Sequence, residues 1–131
     1  MTANTKIVAI VQARLGSTRL PGKVMREIDG VPMIDLLLAR LGNAKLIDAV
    51  VVATSVEATD DPLAAHLESI GQPVFRGSEK DVLSRFHGAA KSVDADICVR
   101  ITGDCPLIDP VLVDTVIDAF LSSDADYISN V

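Results

Sequence analysis

Short apolar runs alternate along the chain with segments whose apolar residues recur at helical spacing. The runs at 6–13, 49–55, 73–76 and 96–102 are rich in Val, Ile and Ala, as in strands of a buried sheet. The last residues, "DYISNV", have the pattern of a fifth strand beginning. Strands that alternate with helices predict βαβ units. The pattern therefore indicates an α/β fold, with a mostly parallel sheet and helices on both faces.

Acid-proline pairs mark two of the helix starts. Asp61 and Asp109 each precede a proline, which is typical of an N-cap followed by a proline in the first turn. They predict helices over 62–70 and 110–121.

Two further helices are indicated by other boundary residues. One ends at Leu41, where Gly42 follows as a stop. The other begins at Ser78, which forms a capping-box pattern with Asp81 and opens a helix to about Val93. The acidic stretches "ATDDP" and "SSDAD" are interpreted as caps and solvated loops.

Composition and charge narrow the class of protein. A length of 131 residues suits one domain, and 49% hydrophobic with 23% charged residues is a globular composition. The net charge of −6 argues against a nucleic-acid or anionic membrane surface. No apolar stretch is long enough to span a bilayer. Two cysteines are too few for a disulfide framework, which suggests a cytoplasmic protein, and Cys98 in its apolar run is expected in the core.

An exception to the acidic character is the segment "VQARLGSTRLPGK" at 11–23, which contains Arg14, Arg19 and Lys23. It follows the first strand, and ligands of α/β sheets bind at the carboxyl ends of strands. Its glycines allow the backbone to approach a ligand, and its cations supply donors for phosphate oxygens. The segment predicts a triphosphate-binding loop. A solvated basic loop without a ligand fits the same pattern.

Two common phosphate-binding motifs do not describe this loop. The Walker A motif has four residues between its glycines and Ser or Thr after its Lys. Here five residues separate Gly16 from Gly22, and Val24 follows Lys23. The three-glycine dinucleotide fingerprint does not occur at this position either.

Two other strand ends contribute polar residues at the same edge. In "RITGDCPLID" at 100–109, Asp104 is a candidate Mg²⁺ ligand, because Mg²⁺ binds one or two carboxylates together with phosphate oxygens. Hydrogen bonding of Asp104 within its own turn is equally typical. After the third strand, Arg76 and Ser78 are candidates for contact with a base or ribose. The alternatives are that Ser78 only caps its helix and that Arg76 pairs with a nearby carboxylate.

Together, "QARLGSTRLPGK", "FRGSEKDVLSR" and "RITGDCPLIDP" resemble the cytidylyltransferase family, which makes CMP-activated acidic sugars. The resemblance is closest to the branch of spore coat polysaccharide biosynthesis protein F. It covers essentially the whole chain but only about the first half of the family's domain. It implies a Rossmann-like nucleotide-diphospho-sugar transferase fold, apparently truncated. Residues 1–131 would be the nucleotide-binding portion, without the sugar-binding half.

The same resemblance implies roles for individual residues. Arg14 and Lys23 would be catalytic, and Asp104 would hold Mg²⁺. The residues that it implies for nucleotide binding are Gln12, Ala13, Arg14, Gly16, Ser17, Arg19, Lys23, Arg76, Ser78 and Thr102. The best-known relatives carry Gln where this chain has Thr102, which leaves the base preference open.

The implied reaction is transfer of CMP from CTP to a sugar acid for surface polysaccharide biosynthesis, with release of pyrophosphate. The expected partners are CTP and a small sugar. A chain that stops at Val131 is also expected to leave one edge of its sheet unpaired, which favours self-association, for example as a homodimer. The chain as given is expected to bind CTP weakly and to catalyse little. Two other classes stay open: a non-catalytic nucleotide-binding module, and a glycosyltransferase with Asp124 and Asp126 as its Asp-x-Asp motif.

Overall fold

The computed structural model describes residues 5–16, 22–103 and 107–127. The strands are β1 (Ile7–Gln12), β2 (Glu27–Ile28), β3 (Val31–Pro32), β4 (Ala49–Ser55), β5 (Val74–Gly77) and β6 (Ile97–Thr102). Four of them form a parallel sheet in the order β5-β4-β1-β6, while β2 and β3 form a separate antiparallel pair. The predicted α/β class and its mostly parallel sheet are confirmed.

Four α-helices accompany the strands in the described part of the chain. They are α1 (Met33–Leu41), α2 (Asp61–Ser69), α3 (Val82–Ser92) and α4 (Pro110–Leu121). Within the described ranges, no helix is long and apolar enough to cross a membrane. The cap of α4 is confirmed, because the Asp109 carboxylate accepts the Val111 N–H at 2.9 Å.

The core lies on both faces of the sheet because β1 is buried on both sides. Ala9 and Val11 belong to a cluster that includes the apolar faces of α1, α2 and α4. Val8 and Ile10 belong to a second cluster, formed with α3 and the ring of Phe75. This two-sided burial explains why the first strand is an unbroken apolar run.

Strand β6 is not covered by a described element on the face of the sheet where α3 lies. Helix α3 packs against β1, β4 and β5. On the same face of β6, Cys98, Arg100 and Thr102 are exposed. The prediction that Cys98 lies in the core was therefore wrong, because alternation along the strand turns it away from the covered face.

Two predicted helix starts are shifted. Helix α2 begins at Asp61 itself, and Asp60 occupies the position before it without a side-chain cap bond. Helix α3 is capped by Asp81, whose carboxylate accepts the Ser84 N–H at 2.9 Å. The Ser78 hydroxyl accepts the Asp81 N–H at 3.0 Å, so the predicted contact forms, but the helix starts one turn later.

The β2–β3 hairpin was not predicted. Its turn consists of Asp29 and Gly30, which both have positive φ angles of 52° and 81°. An Asp-Gly pair favours this kind of hairpin turn, but the strands have only two residues each and show no alternation. Of the predicted fifth strand, Asp126 and Tyr127 are not in a strand, and 128–131 lie outside the described residues.

The order of the strands defines where a ligand site is expected. From β1 the chain builds outward through β4 to β5, and it then returns to place β6 on the other side of β1. Ligands of open α/β sheets bind at the carboxyl ends of the strands that flank such a reversal. Here those ends are Gln12 and Thr102, which are neighbours in the β1–β6 register.

Gly103 keeps these two strand ends in close contact. Its N–H donates to the Gln12 carbonyl at 2.8 Å. A Cβ atom on Gly103 would lie 2.8 Å from the Cβ of Ala13 and 3.0 Å from the Gln12 carbonyl oxygen. Only glycine fits this position without a shift of the backbone.

We expect Gly103→Ala to lower the free energy of unfolding by about 1–3 kcal/mol, because the methyl group overpacks the β1–β6 junction. Chemical denaturation measures this change. Gly42→Ala is the matched control, since Gly42 has helical angles and its added Cβ would come no closer than 3.4 Å to another atom. It should leave stability unchanged or raise it by up to about 1 kcal/mol. Equal effects of both substitutions would contradict the role of Gly103.

Candidate functional site

The cationic loop, defined as residues 13–23, begins and ends at well-defined contacts. The Ala13 N–H donates to the Ala53 carbonyl at 3.1 Å and extends the β1–β4 pairing. The Gly22 N–H donates to the Leu15 carbonyl at 2.9 Å, and the φ of Gly22 is 75°. Lys23 follows at the start of a short 3-10 helix. The structure thus brings the two ends of the loop together. Ser17 and Arg19, both predicted site residues, lie outside the described residues.

A buried carboxylate fixes the first turn of this loop. Asp60 is fully buried, and its carboxylate accepts the Leu15 N–H at 2.6 Å and the Ser55 hydroxyl. The Arg14 Nε lies 4.0 Å from the same carboxylate. A buried charge requires such donors because its desolvation is costly. The interpretation of "ATDDP" as a solvated loop was wrong for Asp60.

Arg14 lies at the edge of the sheet between two acidic residues. Its guanidinium is 3.2 Å from the Glu79 carboxylate, and 28% of its side chain is exposed. Gly16 packs beside it, since an added Cβ would lie 3.4 Å from the Arg14 Nη2. The ammonium of Lys23 makes no ion pair with any residue that the structure describes. Arg14 is therefore paired with a carboxylate in this structure, whereas Lys23 has no carboxylate partner among the described residues.

A second arginine, which was not predicted, lies beneath the site. Arg85 of α3 is only 3% exposed. It donates to the carbonyls of Ser78 at 2.9 Å and Glu79 at 3.3 Å. It also donates to the Gln12 Oε1 at 3.4 Å. A sequence signal existed, because Arg85 precedes the buried Ala89 by four residues and so lies on the apolar face of the helix.

The surroundings of Arg85 disfavour its positive charge. Burial lowers the pKa of its guanidinium from the ordinary value, and the positive charge of Arg14 acts in the same direction. Asp60 opposes this shift, and Arg100 adds to it. Arginine nevertheless stays protonated in folded proteins, so Arg85 remains a hydrogen-bond donor to Ser78, Glu79 and Gln12.

Arg76 and Ser78 have partners within the protein. The Arg76 guanidinium donates to the carbonyls of Ser55 at 2.8 Å and Glu57 at 3.0 Å, and it pairs with Asp61 at 2.8 Å. The pairing of Arg76 with a carboxylate is thus observed, as is the Ser78 contact with the turn before α3. A contact of either residue with a nucleotide stays a prediction.

The predicted metal ligand, Asp104, lies outside the described residues. Within the described ranges, no group of three or more His, Cys, Asp or Glu side chains is placed to hold a metal ion. Gly103, the residue before Asp104, packs against Ala13 at the start of the cationic loop. Mg²⁺ binds one or two carboxylates together with phosphate oxygens, so a site for this ion that uses Asp104 stays a prediction.

Comparison with known proteins identifies relatives over most of the chain. The model of the cytidylyltransferase family matches residues 8–131. The spore coat polysaccharide biosynthesis protein SpsF of Bacillus subtilis is 43% identical over 125 residues, which are 92% of this chain and 52% of that protein. The chain spans about half the length of the curated relatives it matches.

Two solved structures have the same fold. A cytidylyltransferase from Leptospira borgpetersenii has a TM-score of 0.86 and 41% identity, over 92% of this chain and 51% of that one. A CMP:2-keto-3-deoxy-manno-octonic acid synthetase complexed with CTP has a TM-score of 0.78 and 29% identity, over 92% of this chain and 49% of that one.

We expect Asp60→Ala to lower the free energy of unfolding by about 2–5 kcal/mol, because the Leu15 N–H and the Ser55 hydroxyl lose their acceptor. Asp61→Ala is the control next to it. Asp61 is 62% exposed and pairs only with Arg76 among the described residues, so its loss should cost about 1 kcal/mol or less. Urea denaturation of both variants makes the comparison. An Asp60 variant as stable as the unsubstituted chain would refute the anchoring role.

Proposed function

This chain belongs to the cytidylyltransferase family, and we propose that the carboxyl edge of its sheet binds CTP for the transfer of CMP to a sugar. The main support is the position of the cationic loop at the ends of β1 and β6, where the strand order reverses. Residues 1–131 would be the nucleotide-binding portion of the protein. The proposed nucleotide-binding residues are Gln12, Ala13, Arg14, Gly16, Ser17, Arg19, Lys23, Arg76, Ser78 and Thr102.

The acceptor is proposed to be a sugar acid. One structural relative is named as a synthetase that joins CMP to 2-keto-3-deoxy-manno-octonic acid, and its structure contains CTP. SpsF is named for polysaccharide biosynthesis. A CMP-activated sugar acid for a surface polysaccharide agrees with both names.

In this reaction a sugar hydroxyl attacks the α-phosphorus of CTP. The bond from that phosphorus to the bridging oxygen breaks, and pyrophosphate leaves with additional negative charge. Arg14 would donate two parallel N–H bonds to phosphate oxygens, while Lys23 would act as a point charge. Groups placed where charge develops commonly contribute about a hundredfold or more in rate.

Asp104 would hold the Mg²⁺ ion of this site. The ion would supply Lewis-acid chemistry at the phosphate oxygens. The support for this proposal is the packing of Gly103, the residue before Asp104, against Ala13 at the start of the cationic loop. The glycosyltransferase alternative, with Asp124 and Asp126, is not favoured, because the family that matches the chain is a cytidylyltransferase family.

A thermal-shift panel tests the nucleotide. We expect CTP with Mg²⁺ to raise the melting temperature of the chain more than UTP, GTP or ATP, because a ligand that binds only the folded state stabilises it. Each nucleotide is also measured without Mg²⁺, and inorganic sulfate at equal ionic strength controls for unspecific anion effects. The absence of a shift with every nucleotide would contradict the proposal.

Two substitutions should change triphosphate affinity in opposite directions. Glu79→Gln removes the carboxylate that pairs with Arg14, so CTP should bind up to about fivefold more tightly. Lys23→Ala removes a cation of the loop and should weaken binding. Lys91→Ala, an exposed cation in the last turn of α3, controls for the change of net charge and should have little effect. Calorimetric titration with CTP measures all three. Weaker binding by the Glu79 variant would contradict the competition between Glu79 and phosphate for Arg14.

A further inference from the structure

The contact between Arg85 and Gln12 fixes the orientation of an amide. A guanidinium has only N–H donors, so the atom of Gln12 that faces it has to be the carbonyl oxygen. The structure has this arrangement, with the Arg85 Nη2 at 3.4 Å from the Gln12 Oε1. A flipped amide would place an NH₂ group against the cation. The flipped orientation is therefore disfavoured both by hydrogen bonding and by charge.

Arg85 has little freedom to move away from Gln12. It is almost completely buried, and the carbonyls of Ser78 and Glu79 hold its other terminal nitrogen. An added Cβ on Gly77 would lie 3.1 Å from the Arg85 Cγ, so the stem of the side chain is also closely packed. The guanidinium is thus a rigid donor beneath the end of β1.

The remaining groups of the Gln12 amide are available to a ligand. Its Nε2 has no hydrogen-bond partner among the residues that the structure describes. Its Oε1 has a second lone pair besides the one that faces Arg85. Gln12 is half-buried and neighbours the exposed Thr102 across the β1–β6 register, at the edge where the nucleotide is proposed to bind.

The orientation of such an amide distinguishes the two pyrimidines. Cytosine presents an amino donor at N4 beside an acceptor at N3, and an amide complements this pair with its oxygen and its NH₂ group. Uracil presents an acceptor at O4 beside a donor at N3, which requires the flipped amide. Bidentate amide contacts with a base edge discriminate between bases by about fivefold to a hundredfold.

We propose that Arg85 is a positioning residue that locks the Gln12 amide in the orientation that reads cytosine and rejects uracil. This inference rests on the proposed function, because it requires the base to lie at the end of β1. Arg85 itself acts only through Gln12 and makes no contact with the nucleotide. Binding of the triphosphate by the cationic loop keeps the base from sliding along the amide to a different pairing.

The test compares the dissociation constants of CTP and UTP by calorimetry, both with Mg²⁺. The unsubstituted chain should prefer CTP by about tenfold or more. Arg85→Gln lets the Gln12 amide flip, so the ratio of the two constants should fall close to one. Arg100→Gln is the charge-matched control, because Arg100 is exposed on the same face of β6. This substitution should weaken the binding of CTP and UTP equally and leave the ratio of their dissociation constants unchanged.

A second variant decides the test if Arg85→Gln does not fold, which circular dichroism reveals. Gln12→Glu keeps an acceptor for Arg85 but has no donor for cytosine N3. It should bind CTP about tenfold more weakly and lose the preference over UTP. An unchanged ratio in this variant or in a folded Arg85 variant would overturn the inference. Equal binding of CTP and UTP by the unsubstituted chain would overturn it too, while the proposed nucleotide site would stand. Binding of neither nucleotide would overturn the proposed function, and this inference with it.

Discussion

The buried carboxylate of Asp60 is the interaction on which the cationic edge of the sheet depends. It accepts the Leu15 N–H and the Ser55 hydroxyl, so it joins the loop after β1 to the end of β4. A buried carboxylate without donors would cost several kcal/mol. The loop has to keep its first turn in place to supply them, and that turn sets the position of Arg14.

The same edge shows how an acidic protein accommodates clustered cations. The chain has a net charge of −6, yet Arg14 and Arg85 lie close enough that their charges interact. Each has its own partner: Arg14 pairs with Glu79, and Arg85 donates to backbone carbonyls and to Gln12. These partners offset the repulsion between the two guanidinium groups when no ligand is bound. In the proposed function, Arg14 would exchange its carboxylate for phosphate oxygens, whereas the buried Arg85 would keep its contacts.

The part of the site that local sequence reveals is therefore the loop itself. Its cations and glycines all lie between Arg14 and Lys23, and charge with spacing was enough to predict a site there. Its supporting residues lie far away along the chain. Leu15 and Asp60 are 45 positions apart, Arg14 and Glu79 are 65 apart, and Gln12 and Arg85 are 73 apart. No local pattern relates such positions, because the parallel sheet brings them together.

By itself, the sequence determined the four strands of the parallel sheet, the four helices to within about one turn, and the presence of a cationic loop after the first strand. These follow from the period of apolar residues and from cap residues, which act over a few neighbouring positions. The tertiary structure decided which side chains are buried. Cys98 lies in an apolar run and is exposed, while Asp60 lies in an acidic run and is buried. Burial depends on which helix or loop covers a face, and that is settled only when distant elements pack together.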